Sequence, residues 1–101
     1  MRKIIDGKAY DTNTAKLIGK WWNGDGGLDD CSEHLYQTRK GAFFLYGSGG
    51  PRSIYGKPDG YNSYCSGSSI IPYTVEEAKN WAEEHLSASK YEEAFGAVPE
   101  A

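Results

Sequence analysis

Few residues in this chain are of a type that does chemistry, and none stands in a recognisable catalytic pattern. Its thiols and imidazoles are Cys31, Cys65, His34 and His85. Cys31-x-x-His34 has a spacing that zinc accepts, but Cys65 and His85 stand alone, whereas structural zinc sites draw their ligands from close pairs. No metal is expected. Neither histidine is set beside a serine or cysteine as a base beside a nucleophile, so each reads as a packing or surface residue. The acids Asp25, Asp29 and Asp30 sit in a glycine-rich loop that offers oxygens to calcium. Counted from Asn23, however, the position where an EF-hand loop needs a bidentate Glu holds His34. Gly47-Ser48-Gly49-Gly50 follows a strand as a phosphate loop would, yet leads to Pro51-Arg52 and not to Gly-Lys-Ser/Thr. The adjacent pairs Glu76-Glu77 and Glu83-Glu84 would need one carboxyl in apolar surroundings to divide acid from base, which an exposed helix face does not supply. No catalytic residue and no cofactor is expected, and the chain reads as a non-enzyme.

What remains are surfaces. Glu76, Glu77, Glu83 and Glu84, extended by Glu92 and Glu93, form a carboxylate ridge. Such a ridge is by default a solvated helix face, and as a functional feature it is a docking surface for a basic groove, including mimicry of a phosphate backbone. Trp21-Trp22 and the tyrosines at 36, 46, 55, 61, 64 and 73 exceed what so small a core needs. The tryptophans and strand aromatics are expected to fill the core. Tyr55, Tyr61 and Tyr64 are candidates for an interaction surface, since binding hot spots favour Tyr and Trp.

The elements that must position these groups are unevenly legible. Lys3 to Thr14 reads as a hairpin around Asp6-Gly7, a dipeptide that accepts the positive φ of a type I′ turn. Ala15 to Gly19 fits either a helical turn or a strand running into Trp21-Trp22, and periodicity over so few residues leaves both open. His34–Thr38 and Ala42–Tyr46, separated by Arg39-Lys40-Gly41, make the strongest β signal, a second hairpin. Residues 47–69 read as a long irregular loop rich in Ser, Gly, Tyr and Pro, a length that often serves function. Thr74 with Glu77 is a capping box that starts a helix over about 75–86, with Val75, Ala78, Trp81, Ala82 and Leu86 inward and the glutamates outward. Ser87 caps a short second helix that Gly96 stops, which makes 74–96 the helical part.

A length of 101 residues makes one domain, spanning 1–101. The expected fold is α+β: a small antiparallel sheet of about four strands packed against the C-terminal amphipathic helix, with the short second helix beside it. The formal charge of −3 hides an asymmetry. Residues 1–75 carry nine Lys/Arg against seven Asp/Glu, or +2, and residues 76–101 carry two against seven, or −5. That balance lacks the basic footprint of nucleic-acid binding, so no direct nucleic-acid contact is expected. With no signal-peptide pattern and no apolar run of membrane length, the expectation is a cytoplasmic protein without a membrane partner. In that compartment Cys31 and Cys65 are expected as free thiols.

Three segments carry a resemblance. They are Lys3-Ile4-Ile5-Asp6-Gly7-Lys8-x-Tyr10-Asp11-Thr12-x-Thr14-Ala15, then Leu35-Tyr36 through Gly41-x-Phe43-Phe44-Leu45-Tyr46-Gly47-x-Gly49-Gly50, and Ile70-Ile71-Pro72-x-Thr74-x-x-Glu77-Ala78-x-x-Trp81. Together they resemble small proteins encoded by phages and mobile elements of Gram-positive gut bacteria. Such elements often carry anti-CRISPR proteins, and by size and genetic setting the resemblance implies a protein of that kind acting in the host bacterial cell. The expected function is then a non-enzymatic inhibitor that binds a host CRISPR effector complex and blocks target-DNA access or assembly. The alternative is a mobile-element interaction or regulatory protein with another host partner. The expected partner-binding residues are Glu76, Glu77, Glu83, Glu84, Tyr61 and Tyr64.

Overall fold

The Asp6-Gly7 pair makes the first turn of the chain. Both residues have positive φ, 51° and 74°, and join β1 (Arg2–Ile5) to β2 (Lys8–Asp11) in an antiparallel hairpin. The twist of a type I′ turn suits this pairing, and Asp and Gly are among the residues that tolerate it. In this computed structural model, which describes residues 1–24 and 26–101, that hairpin stays separate from the central sheet.

Four strands build the central sheet among the described residues, in the order β3 (Lys16–Trp22), β4 (Cys31–Gln37), β5 (Phe43–Gly49), β8 (Gly67–Tyr73), all antiparallel. Between β5 and β8 lies a small hairpin of β6 (Lys57–Pro58) and β7 (Tyr64–Cys65). Two helices follow, α1 (Val75–His85) and α2 (Ala88–Phe95). The fold is α+β.

The segment that fitted helix or strand is the strand β3, with a bulge between Leu17 and Gly19. The expected irregular loop over 47–69 is shorter than its composition implied. Gly47 to Gly49 belong to β5, Gly67 to Ser69 belong to β8, and the β6–β7 pairing lies between. The backbone of Ser48, for example, is paired on both sides, by Ser32 of β4 and Ser68 of β8. Pairing with central strands overrides the low strand propensity of Gly and Ser.

Alternation along β5 divides the core in two. Phe43 and Leu45 face the helices and pack with Leu35, Ala78, Trp81 and Ala82. Phe44 faces the other way and packs with Ile70 and with Tyr10 of the first hairpin. The sheet is therefore covered on both faces, by α1 and α2 on one and by β1–β2 on the other. Tyr10 meets Phe44 edge-on at 5.6 Å, and Tyr36 stacks on Phe44 at 5.2 Å. Burial of such rings supplies roughly 2–3 kcal/mol each against leaving them in water.

Helix α1 begins at the expected capping box. Glu77 N–H donates to the Thr74 hydroxyl at 3.1 Å, and Thr74 N–H donates to the Glu77 carboxylate at 2.8 Å. Its inward residues are Ala78, Trp81 and Ala82, whereas Val75, expected inward, is exposed in the first turn. Ser87 caps α2, and Gly96 at φ 93° follows its last residue. No helix of the described residues is long and apolar enough to cross a membrane.

Candidate functional site

Strand β4 places Cys31, Glu33 and Leu35 on the helix-facing side, because side chains two apart share a face. Glu33 is 8% exposed, the one buried polar side chain among the described residues. Its carboxylate accepts a hydrogen bond from Trp81 Nε1 of α1 at 2.9 Å and another from the Tyr55 hydroxyl. A carboxylate removed from water is tolerated only when donors replace its hydration, and here two do. Burial, reinforced by the hydrogen bond to Glu33, holds the Tyr55 phenol well above its ordinary range, so Tyr55 is the donor.

Tyr55 reaches that position because Gly47 leaves room for it. A Cβ on Gly47 would clash with the hydroxyl end of the Tyr55 ring, at Cζ, Cε1 and the phenolic oxygen. The segment around Tyr55 is fixed in turn by its backbone. Gly50 N–H donates to Asp30 C=O and Arg52 N–H to Leu28 C=O, each at 2.8 Å, and Tyr55 N–H donates to Ser53 Oγ at 3.1 Å. The glycines of the 47–50 segment thus serve ring seating and close backbone contact, which accounts for them without a phosphate. Tyr55 is 5% exposed, so its expected part in an interaction surface is overturned.

Tyr61 and Tyr64 behave differently. They belong to the β6–β7 hairpin, whose tip is closed by Asp59 N–H donating to Ser63 C=O at 2.9 Å, and they are 94% and 62% exposed. Rings this exposed on a backbone tied down at both ends are presented, not packed.

On α1, Glu76, Glu83 and Glu84 are exposed on the side opposite Ala78 and Ala82. Glu77 is exposed too, but its carboxylate is engaged in the capping box. Glu92 and Glu93 continue the acidic surface on α2. Among the described residues the ion pairs are Arg2–Asp11 and, when the imidazole is protonated, His85–Glu84, so no Lys or Arg, Lys79 of the same helix included, is ion-paired with this ridge. Between the helices lies a groove of about 520 Å³ with Ala82, Leu86, Tyr91 and Val98 in its lining and Glu83 and Glu92 in its walls.

No known protein family, curated protein or solved structure matches the chain. The site must be read from its own geometry.

That geometry keeps the expected binding residues on two elements, the ridge on α1 and the tyrosines on the β6–β7 hairpin. Glu33 links the two, bonded to Trp81 of α1 and to Tyr55 of the segment that leads into the hairpin. Sequence reading missed Glu33, although stepping back by two from Leu35 would have put it on the core face. The expectation that the tryptophans fill the core holds for Trp81 and partly for Trp21, but Trp22 is 56% exposed and donates its Nε1–H to Asp30. His85 packs between Trp21 and Trp81, at ring distances of 4.4 and 5.0 Å. Cys31 is buried and Cys65 exposed, both as free thiols. Burial, with Glu33, Asp30 and Asp29 nearby, pushes the Cys31 thiol up and makes it a poor nucleophile. Among the described residues no group of three or more potential metal ligands converges, and Asp25 of the acidic loop lies outside them.

Proposed function

We propose that this protein is a non-catalytic inhibitor that docks on a CRISPR effector complex through the acidic face of α1 and blocks access of target DNA or assembly. The observation that carries the reading is the ridge of Glu76, Glu83 and Glu84, exposed together on one helix with no Lys or Arg paired to it among the described residues. Effectors of this type hold nucleic acid in a positively charged channel. Carboxylates in a row along a rigid helix offer that channel the charge it is built to accept, and complementarity of this kind speeds encounter and excludes wrong partners. Tyr61 and Tyr64 supply the uncharged contacts, as large rings that bury much area with little loss of side-chain freedom. The resemblance to mobile-element proteins directs the choice of partner.

The test is a target-DNA cleavage assay with a panel of purified effector complexes, comparing wild type with the triple variant E76K/E83K/E84K. Glu77 is left intact because its side chain caps the helix. The expected result is inhibition of at least one effector, weakened by salt and reduced more than tenfold in the variant, with an unchanged melting curve. Equal inhibition by a folded triple variant would overturn the ridge. Inhibition of no effector, together with lysate capture of an unrelated protein by the same face, would move the reading to a regulator of another host partner.

A further inference from the structure

The opposite layer of the molecule carries a second surface, of opposite charge. The turn of the β1–β2 hairpin and the turn between β4 and β5 lie side by side, and between them is a cleft of about 550 Å³. Its lining includes Lys8, Arg39 and Lys40, together with Tyr10, Thr14 and Thr38, and it includes no Asp or Glu.

Each wall is held by its own backbone. Positive φ at Asp6 and Gly7 sets the start of β2, where Lys8 stands opposite Ile5. In the other wall Thr38 N–H donates to Ala42 C=O at 2.7 Å and Gly41 N–H donates to Thr38 C=O at 2.9 Å, which holds Arg39 and Lys40 at the corner of a tight turn. Thr38 Oγ1 accepts the Ala42 N–H at 3.1 Å, which leaves its own proton to donate. The floor is Tyr10, buried against Phe44.

The three cations have no carboxylate partner among the described residues. Of the acids nearest Lys8 in sequence, Asp6 belongs to the β1–β2 turn but not to the lining, and Asp11 is already engaged, by Arg2 at 3.8 Å and by Asn13 N–H at 2.8 Å. The acidic helices cover the other face of the sheet and cannot neutralise the cleft by contact. Three like charges drawn to one concavity repel one another unless an anion is shared between them.

We propose that this cleft is a binding site for a phosphate group, with Lys8, Arg39 and Lys40 around the oxyanion, the Thr38 hydroxyl as a donor and Tyr10 beneath. The inference is independent of the docking role of α1. A terminal phosphate brings close to two negative charges, and a run of phosphodiesters one at each phosphate, with several acceptor oxygens, which matches three cations better than a single carboxylate does. The volume is that of a small-ligand site, enough for a nucleoside phosphate.

The experiment is a titration of the intact protein, followed through its backbone amide spectrum, with adenosine triphosphate, inorganic pyrophosphate and a short single-stranded DNA as probes. Saturable shifts at Lys8, Tyr10, Thr38 and Lys40 are expected, weakening as salt is raised. R39Q and K40Q should each weaken binding about tenfold, the size of one charge-assisted hydrogen bond, with amide spectra otherwise intact. Saturation by triphosphate or pyrophosphate assigns a free phosphate compound, and saturation by DNA alone assigns a phosphate carried on a nucleic acid. No saturable shift with any probe, shifts confined to other surfaces, or equal binding by both variants would overturn the site.

Discussion

Trp81 of α1 donates its indole N–H to the Glu33 carboxylate of β4 at 2.9 Å, a bond between residues 48 apart in the chain. The same carboxylate takes the Tyr55 hydroxyl, so helix, sheet and the segment after β5 share one acceptor. Replacing Glu33 by Ala strands two buried donors, each costing about 1–3 kcal/mol. E33A is expected to lose about 3 kcal/mol in urea denaturation, and Y55F and W81F to be non-additive when combined, because each acts through the same carboxylate.

Gly47 and Tyr55 make a lock of a different kind, steric and not polar. In G47A the new methyl would clash with the hydroxyl end of the Tyr55 ring, so Tyr55 must leave its seat and Glu33 loses a donor. The expected loss is about 2–3 kcal/mol. In a Y55A background the same substitution should be nearly neutral, and a full cost there would refute the steric account.

Thr74 and Glu77 cap α1 reciprocally, so T74A is expected to lower stability by about 1 kcal/mol by thermal melting. E77Q, which keeps an acceptor oxygen, should lose less than E77A. A binding defect in a variant at Glu77 is therefore interpretable only beside its melting curve.

His34 stands on the face opposite the helices, beside Tyr36 and Tyr46 and paired across the sheet with Lys20. Burial first, and the Lys20 charge second, lower its pKa from the ordinary 6.5. The unfolded chain then takes up a proton at higher pH than the folded one, so stability is complete above 6.5 and falls as pH drops through the folded value. Urea midpoints measured between about pH 7.5 and about pH 5 should fall more steeply for wild type than for H34Q, and parallel slopes would exclude His34 as the source.

Tyr61 is nearly fully exposed and holds no core contact. Y61S should leave stability within about 0.5 kcal/mol of wild type. In the effector assay it should weaken inhibition, which distinguishes a contact residue from a structural one.

Parts of this fold were legible because their causes are local. A capping box, an Asp-Gly turn and aromatic-rich runs on either side of Arg39-Lys40-Gly41 act within short stretches of chain, and α1, β1–β2 and the β4–β5 hairpin follow from them. Strands β3 and β8 were not legible in the same way. The bulge at Leu17/Gly19 interrupts the alternation of β3, and β8 is a Ser-rich segment with Pro72 whose strand form comes from pairing with β5. The acidic ridge was readable from helical spacing alone. The Tyr55 seat, the Glu33 link and the basic cleft were not, since each joins side chains from segments far apart in sequence.

The bulge in β3 has a bearing on how the protein behaves in a crowded cell. A strand at the margin of a sheet offers unpaired amides to any other strand, and proteins blunt such margins with bulges, lysines and prolines. Here β3 carries its bulge between Lys16 and Lys20, and β8, the other margin, carries Pro72, which has no N–H to offer. Both margins of the four-stranded sheet thus carry a feature of the kind that opposes growth by strand addition.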